Sequence, residues 1–317
     1  MKITILKKQL QWILVVLLLS MPSFTFAAAI EEIIEAPVFA KNPLAKVIGQ
    51  LSAGKGDFIF NEDAGRPEKP VKVWYYKPAN LSPSSKILFV MHGVKRNGKE
   101  YRNHWVSYAE KYNFLLIVPE FSTQYYSKDD YQFGNVTDSN VNRWSFLVIE
   151  HLFDALRLRE SLTANGYCIY GHSAGAQFVH RFVLFMPSPR LDIAISANAG
   201  SYTLPIYPTW HQFSFPWSLN KEIIGENQLK AVFARRLIVM LGENDIDPNH
   251  KHLPKTKEAV AQGSNRFERG QYFYKSAKKQ AAEMKTPLNW ELEIVPGVSH
   301  SDSGMAIAAA KYLFEKR

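Results

Sequence analysis

The strongest chemical signal in the sequence is a serine between two glycines, in Gly171-His172-Ser173-Ala174-Gly175. The apolar run Tyr167-Cys168-Ile169-Tyr170 precedes it, and a helical pattern follows from Ala174 to Phe185. On such a strand-to-helix turn a serine is held exposed in a strained backbone conformation, which the flanking glycines permit. The amino end of the following helix favours negative charge developing beside it. Nucleophilic acyl chemistry at Ser173 is the reading this context supports.

A serine hydroxyl is a weak nucleophile near neutral pH and needs a base to take its proton. His300 is the leading base, because Val295-Pro296-Gly297-Val298-Ser299 brings it just past the last apolar run. Nucleophiles of the Gly-x-Ser-x-Gly type are followed along the chain by an acid and then by the histidine. The acid belongs in Leu241-Gly242-Glu243-Asn244-Asp245-Ile246-Asp247-Pro248. Asp245, three residues past Gly242, is preferred on position, and Asp247 is the alternative. The chosen carboxylate would orient the imidazole and stabilise its cation rather than accept a proton. A tetrahedral oxyanion also needs donors. The backbone N–H groups expected to supply them are those of Ala174 and of Val94, after His92-Gly93.

Weaker clusters surround these residues. Arg96, Asn97, Tyr101 and Trp105 either line the site or pack a helix. Tyr202, Trp210 and Trp217, in an aromatic stretch rich in proline, either face substrate or pack the loop down. His250-Lys251-His252 has the residue types of a metal site but no fixed scaffold, so no metal is expected there. His172 reads as support for the serine turn. Cys168, the single cysteine, sits in an apolar run and reads as an inert buried thiol. Neither a phosphate cradle nor a dinucleotide fingerprint is present.

The elements that must position these residues alternate regularly. Asp57 to Phe60 and Val71 to Tyr76 read as strands joined by a polar turn. Short apolar runs follow at Lys86–Met91, Phe114–Val118, Gly166–Tyr170, Leu191–Ser196, Leu237–Leu241 and Trp290–Val295. Helical patterns separate them at Lys99–Tyr112, Ser145–Leu162, Ala174–Phe185 and Glu258–Met284, with a last one at Met305–Glu315. Runs without polar alternation suit strands buried on both faces. The expected fold is α/β: a mostly parallel central sheet, antiparallel strands at its N-terminal edge, and helices on both faces. Gln124–Asn142 and the stretch 201–228 break the alternation, and the second is expected to be a loop or small cap insertion.

Lys2, Lys7 and Lys8, an apolar run from Trp12 to Leu19 and small residues through Ala29 describe a secretory signal over 1–27. Residues 28–50 read as a leader or surface strap, and 51–317 as the catalytic domain. Export to the periplasm or beyond is expected, with no stable membrane insertion after cleavage, since no second span is long and apolar enough. The formal charge is +9, and signal cleavage would remove three of those charges. The remainder is spread along the chain, which argues against a nucleic-acid surface.

His92-Gly93, Gly171-His172-Ser173-Ala174-Gly175, Gly242-Glu243-Asn244-Asp245 and Pro296-Gly297-Val298-Ser299-His300 together resemble the α/β-hydrolases. Within them the chain is similar, from about Val71 onward, to the secreted serine esterases of the poly(3-hydroxybutyrate)-depolymerase-like and feruloyl-esterase-like branch. Gln262 to Gly270 belongs to the same resemblance, with no chemical role evident from its residues. The resemblance implies hydrolysis of carboxylic esters through an acyl-enzyme, without metal or organic cofactor. Characterised members often carry disulfides or binding modules, which this chain lacks, so a soluble small or oligomeric ester is the expected substrate. A serine peptidase or other acyl hydrolase is the alternative, because the same groups cleave amides. A non-catalytic binding protein on the same fold is the alternative from another class.

Overall fold

The computed structural model describes residues 49–207 and 213–316. The expected signal segment, all of the leader but Gly49 and Gln50, and Trp210 lie outside the described residues. The described chain builds one eight-stranded sheet. In chain order its strands are β1 (Gly54–Phe60), β2 (Val71–Lys77), β3 (Ile87–Met91), β4 (Leu115–Glu120), β5 (Tyr167–His172), β6 (Leu191–Ala197), β7 (Leu237–Gly242) and β8 (Trp290–Val295). Their order across the sheet is β1-β2-β4-β3-β5-β6-β7-β8. β1 pairs antiparallel with β2 and β2 with β4, while every other neighbouring pair is parallel.

Burial explains the pattern. β3, β5 and β7 are buried at every residue, as parallel strands covered on both faces must be. β1, at an edge, alternates between half-buried and exposed side chains and is buried only at Phe60. Pro119 lies in β4 beyond Ile117, the last residue paired with β3, so its missing N–H costs no bond on that side.

The helices are α1 (Gly98–Tyr112), α2 (Lys128–Gln132), α3 (Leu147–Glu160), α4 (Ala174–Phe185), α5 (Glu226–Ala234), α6 (Lys257–Ala261), α7 (Arg266–Glu283) and α8 (Asp302–Phe314). On one face Tyr101 and Trp105 of α1 join Met305 and Ala309 of α8 over Leu88, Val90 and Tyr170. On the other, Phe153 of α3 and Phe182 of α4 pack on Tyr167, which meets Phe89 edge-on. Alternate residues of one strand thus feed the two layers.

Three elements differ from the sequence expectation. α2 forms inside the stretch read as irregular, because Ser127 and Asp130 build a reciprocal capping box. α5 forms just past the stretch rich in prolines and aromatics, on a short helical stripe, Leu229, Val232 and Phe233, that the sequence reading did not mark. The single helical region expected over 258–284 is two helices, broken at Gly263, whose φ of +147° suits glycine. Asn265 restarts the helix by accepting the Glu268 amide.

Candidate active site

Ser173 stands between β5 and α4 with φ 59° and ψ −112°, a conformation that costs a non-glycine residue energy. Close packing holds it there. A Cβ on Gly171 would lie 2.2 Å from the Gly175 carbonyl oxygen, and one on Gly175 would lie 2.0 Å from that of Met91. The Ser173 amide donates to the Ala197 carbonyl at 2.9 Å, tying the turn to the end of β6.

The loops after β7 and β8 meet the serine as one stitched unit. The amides of Glu243 and Asn244 donate to the carbonyls of Val295 and Val298. Asn198, just past β6 and at φ 54°, accepts from the Gly242 amide at 2.8 Å and donates to the Ser299 carbonyl at 3.2 Å. A Cβ on Gly242 would meet the Val298 carbonyl oxygen at 2.5 Å. The clamp brings His300 between Ser173 and Asp245. Its Nε2 is 3.0 Å from Ser173 Oγ, and its Nδ1 is 2.7 Å from Asp245 Oδ2. Such a chain can pass a proton from a hydroxyl to an imidazole whose cation faces a carboxylate.

Asp245 is buried, and its other oxygen faces Arg266 Nη1 at 3.4 Å. Asp247 is exposed and turns away, accepting the Asn249 amide at 2.8 Å. Arg266 also donates through Nη2 to His250 Nδ1 at 3.1 Å, and the His250 ring stands edge-on to His300 with centroids 5.0 Å apart. Burial first, then the nearby Arg266 and His300, lower the pKa of His250. Sequence reasoning found no role for Gln262 to Gly270. In the structure this segment is a bracket: Gln262 holds both the amide and the carbonyl of Tyr202, Arg266 holds Asp245, and Arg269 holds the carbonyls of Gly200 and Pro254. Its only sequence signal was the density of long polar side chains at the start of a helix.

The loop after β3 rests on His92, whose Nε2 accepts the Phe121 amide at 3.1 Å while Nδ1 donates to the Gly93 carbonyl at 3.0 Å. Full burial lowers its pKa to about 3, so it stays neutral. Val94 and Ala174, the expected oxyanion donors, line the same cleft as Ser173.

That cleft has a volume of about 440 Å³. Arg96 lines it, its guanidinium held by the carbonyls of Phe121 and Ser127 and lying 4.2 Å from the centre of the Tyr131 ring. Tyr101, Tyr202 and Trp217 do not line it. Tyr101 is buried behind the β3 loop, where its hydroxyl meets His172 Nδ1 at 3.0 Å. Tyr202 is fully buried and stacked on Phe273. Trp217 packs edge-on against Phe133. In each case aromatic burial outweighs exposure to a ligand. The wall comes instead from Thr123 to Gln132 and from Lys251 to Pro254. Arg96, Lys128, Lys251 and His252 give it basic groups, and among the described residues no Asp or Glu lines this cleft. Lys251 and His252 thus act as wall residues, and His250 as support for the site.

No family model matches the chain, and no curated protein does. Solved structures do. Poly(aspartic acid) hydrolase-1 from Sphingomonas sp. KT-1 is 38% identical, with a TM-score of 0.78 over 84% of this chain and 100% of its own. LpqC, a poly(3-hydroxybutyrate) depolymerase from Bordetella parapertussis, is 28% identical with the same TM-score, over 84% of this chain and 91% of its own. An S-formylglutathione hydrolase from Agrobacterium tumefaciens shares the fold alone, at 13% identity and a TM-score of 0.51, over 85% of this chain and 97% of its own. With this sheet order, this serine turn and a relative 38% identical over that relative's whole length, the chain belongs to the α/β-hydrolase superfamily.

Proposed function

We propose that the protein is a serine hydrolase that cleaves carboxylic esters through an acyl-enzyme. The observation that carries this reading is the placement of His300, within hydrogen-bond reach of both Ser173 Oγ and Asp245 Oδ2. Ser173 Oγ attacks the ester carbonyl as its proton passes to His300 Nε2. The carbonyl oxygen becomes an oxyanion, received by the amides of Val94 and Ala174. Asp245 stabilises the imidazolium, which then protonates the departing alkoxide as the carbon–oxygen bond breaks. Water, deprotonated by His300, attacks the acyl-enzyme, and the proton returns to Ser173 as the acid leaves. Neither metal nor organic cofactor enters these steps.

The test compares the parent with Ser173→Ala on an activated ester and a fluorophosphonate probe. The parent is expected to be labelled and active, and the variant to be unlabelled and slower by about a millionfold. A variant that keeps the parent's rate sinks the reading and leaves the binding protein as the better account.

Amide cleavage is a second reading favoured by a specific observation. The relative at 38% identity is a hydrolase of poly(aspartic acid), an amide-linked polyanion, and the cleft here is lined by basic groups without acidic ones. Assays on short acyl esters and on oligomers of aspartic acid, run side by side, separate the two. Export is proposed from the N-terminal pattern, and N-terminal sequencing of protein recovered outside the cytoplasm checks it. Among the described residues no helix is long and apolar enough to cross a membrane.

A further inference from the structure

Gln177 follows Ser173 by four residues, so its backbone lies about 6 Å along the axis of α4 from the nucleophile. Its side chain is buried, and it lines the cleft. Two donors decide which way its amide points. Ser201 Oγ donates to Gln177 Oε1 at 2.9 Å, and Arg181 Nη1 donates to the same oxygen at 3.3 Å. A carboxamide oxygen has two lone pairs, and both are engaged, so the –NH2 group must occupy the other position. That nitrogen lies beside Gly200, 3.3 Å from where a Cβ would stand on that glycine, and Gly200 also lines the cleft. Among the described residues no acceptor hydrogen-bonds to it.

Behind Gln177 lies a buried cation. Arg181 is fully buried, with Nε on Thr203 Oγ1 at 2.8 Å and Nη1 on the Gln132 carbonyl at 2.8 Å. Among the described residues Nη2 has no hydrogen-bond partner and no carboxylate forms an ion pair with Arg181. The other side of its guanidinium is the Phe133 ring, 3.8 Å away. Burial pulls its pKa down to about 9, with Asp129 offsetting part of the effect. A buried charge without a partner is costly, and an anion nearby relieves that cost. Arg96, Lys128 and Lys251 add positive charge to the same cleft.

We propose that Gln177, backed by the buried Arg181, forms a carboxylate-binding subsite one helical turn from Ser173, so that the favoured acyl group carries a free carboxylate. The proposal rests on Ser173 being the nucleophile. It assigns Gln177 to substrate selection rather than to bond breaking. A dicarboxylic half-ester suits this spacing, with one carbonyl at Ser173 Oγ and the far carboxylate at Gln177 Nε2.

The experiment measures kcat/KM for p-nitrophenyl hydrogen succinate and p-nitrophenyl butyrate, which share a leaving group and chain length. The parent is expected to prefer the succinate by about tenfold or more, the scale of a hydrogen bond to a charged group. Gln177→Met should bring the ratio toward one, and Gln177→Glu should invert it, with the succinate loss expressed mainly in KM. Ratios cancel any general loss of activity in the variants. Free succinate should also inhibit butyrate cleavage by the parent competitively, which needs no variant to fold. A parent without succinate preference overturns the proposal, as does failure of free succinate to inhibit. A preference that survives both substitutions overturns it too and moves recognition to Arg96, Lys128 and Lys251. Fluorophosphonate labelling of the parent reports on Ser173 separately, so failure of the nucleophile and failure of the subsite are distinct results.

Discussion

Arg266 and Asp245 form a buried ion pair, Nη1 to Oδ1 at 3.4 Å, on the carboxylate oxygen that His300 does not use. The carboxylate is thereby held from both sides. Arg266→Met removes one charge of this pair and leaves the other without its partner, a change that costs about 3 kcal/mol or more. The carboxylate also gains freedom to turn from His300, and misplacement on the ångström scale costs up to about a hundredfold in rate. Urea denaturation should show the stability loss, and the rate loss should fall on kcat more than on KM. An Arg266→Met protein with the parent's kcat would show that His300 alone suffices to place Asp245.

The two candidate acids predict opposite results. Asp245→Asn should lower kcat by about ten-thousandfold, as expected when the imidazole loses its orienting carboxylate. Asp247→Asn should stay within about twofold of the parent, because Asp247 is exposed and its side chain caps the Asn249 turn rather than meeting His300. Steady-state kinetics on both variants with one activated ester decides the assignment. A large loss at Asp247 alone would reverse it.

Acid should destabilise the protein through histidines buried in the neutral form. Unfolded, a histidine takes its proton near pH 6.5. Folded, His92 is held down to about 3 by burial, and His172 and His180 are lowered well below their ordinary value for the same first reason. Below about pH 6.5 the unfolded chain therefore binds more protons than the folded one. The contribution of each histidine is complete above that pH and is lost as pH falls, by about 1.4 kcal/mol per pH unit. Denaturant titrations between pH 7 and 4 should follow this slope, and His92→Gln should reduce it by about one proton. An unchanged slope in that variant would mean that His92 does not titrate differently on folding.

Gly175→Ala tests the packing that strains the nucleophile. The new methyl would stand 2.0 Å from the Met91 carbonyl oxygen, which is backbone and cannot swing aside. We expect a stability loss of about 3 kcal/mol or more, with α4 pushed off β3. Thermal melting and fluorophosphonate labelling should fall together. A variant that melts like the parent and labels at the parent's rate would show that the turn is looser than its contacts imply.

The sequence alone was enough to single out Ser173 and the turn that carries it, because the signals are local: an apolar strand, a glycine-flanked serine and a helical run lie within twenty residues. It was enough for the sheet as well, since strands buried on both faces leave unbroken apolar runs. His300 and the acid loop were placed by chain order, but order alone left Asp245 and Asp247 open. Only the tertiary structure separates them, by turning one toward an imidazole 55 residues away and the other into solvent. The aromatic loops stayed open for a related reason. An aromatic ring in a polar stretch reads the same whether it meets a ligand or another ring, and Tyr202 and Trp217 meet rings. The supports of the site, Asn198, Arg266, Gln177 and Arg181, carried no motif, because each acts through partners distant in sequence and its chemistry exists only once the sheet has brought those partners within hydrogen-bond reach.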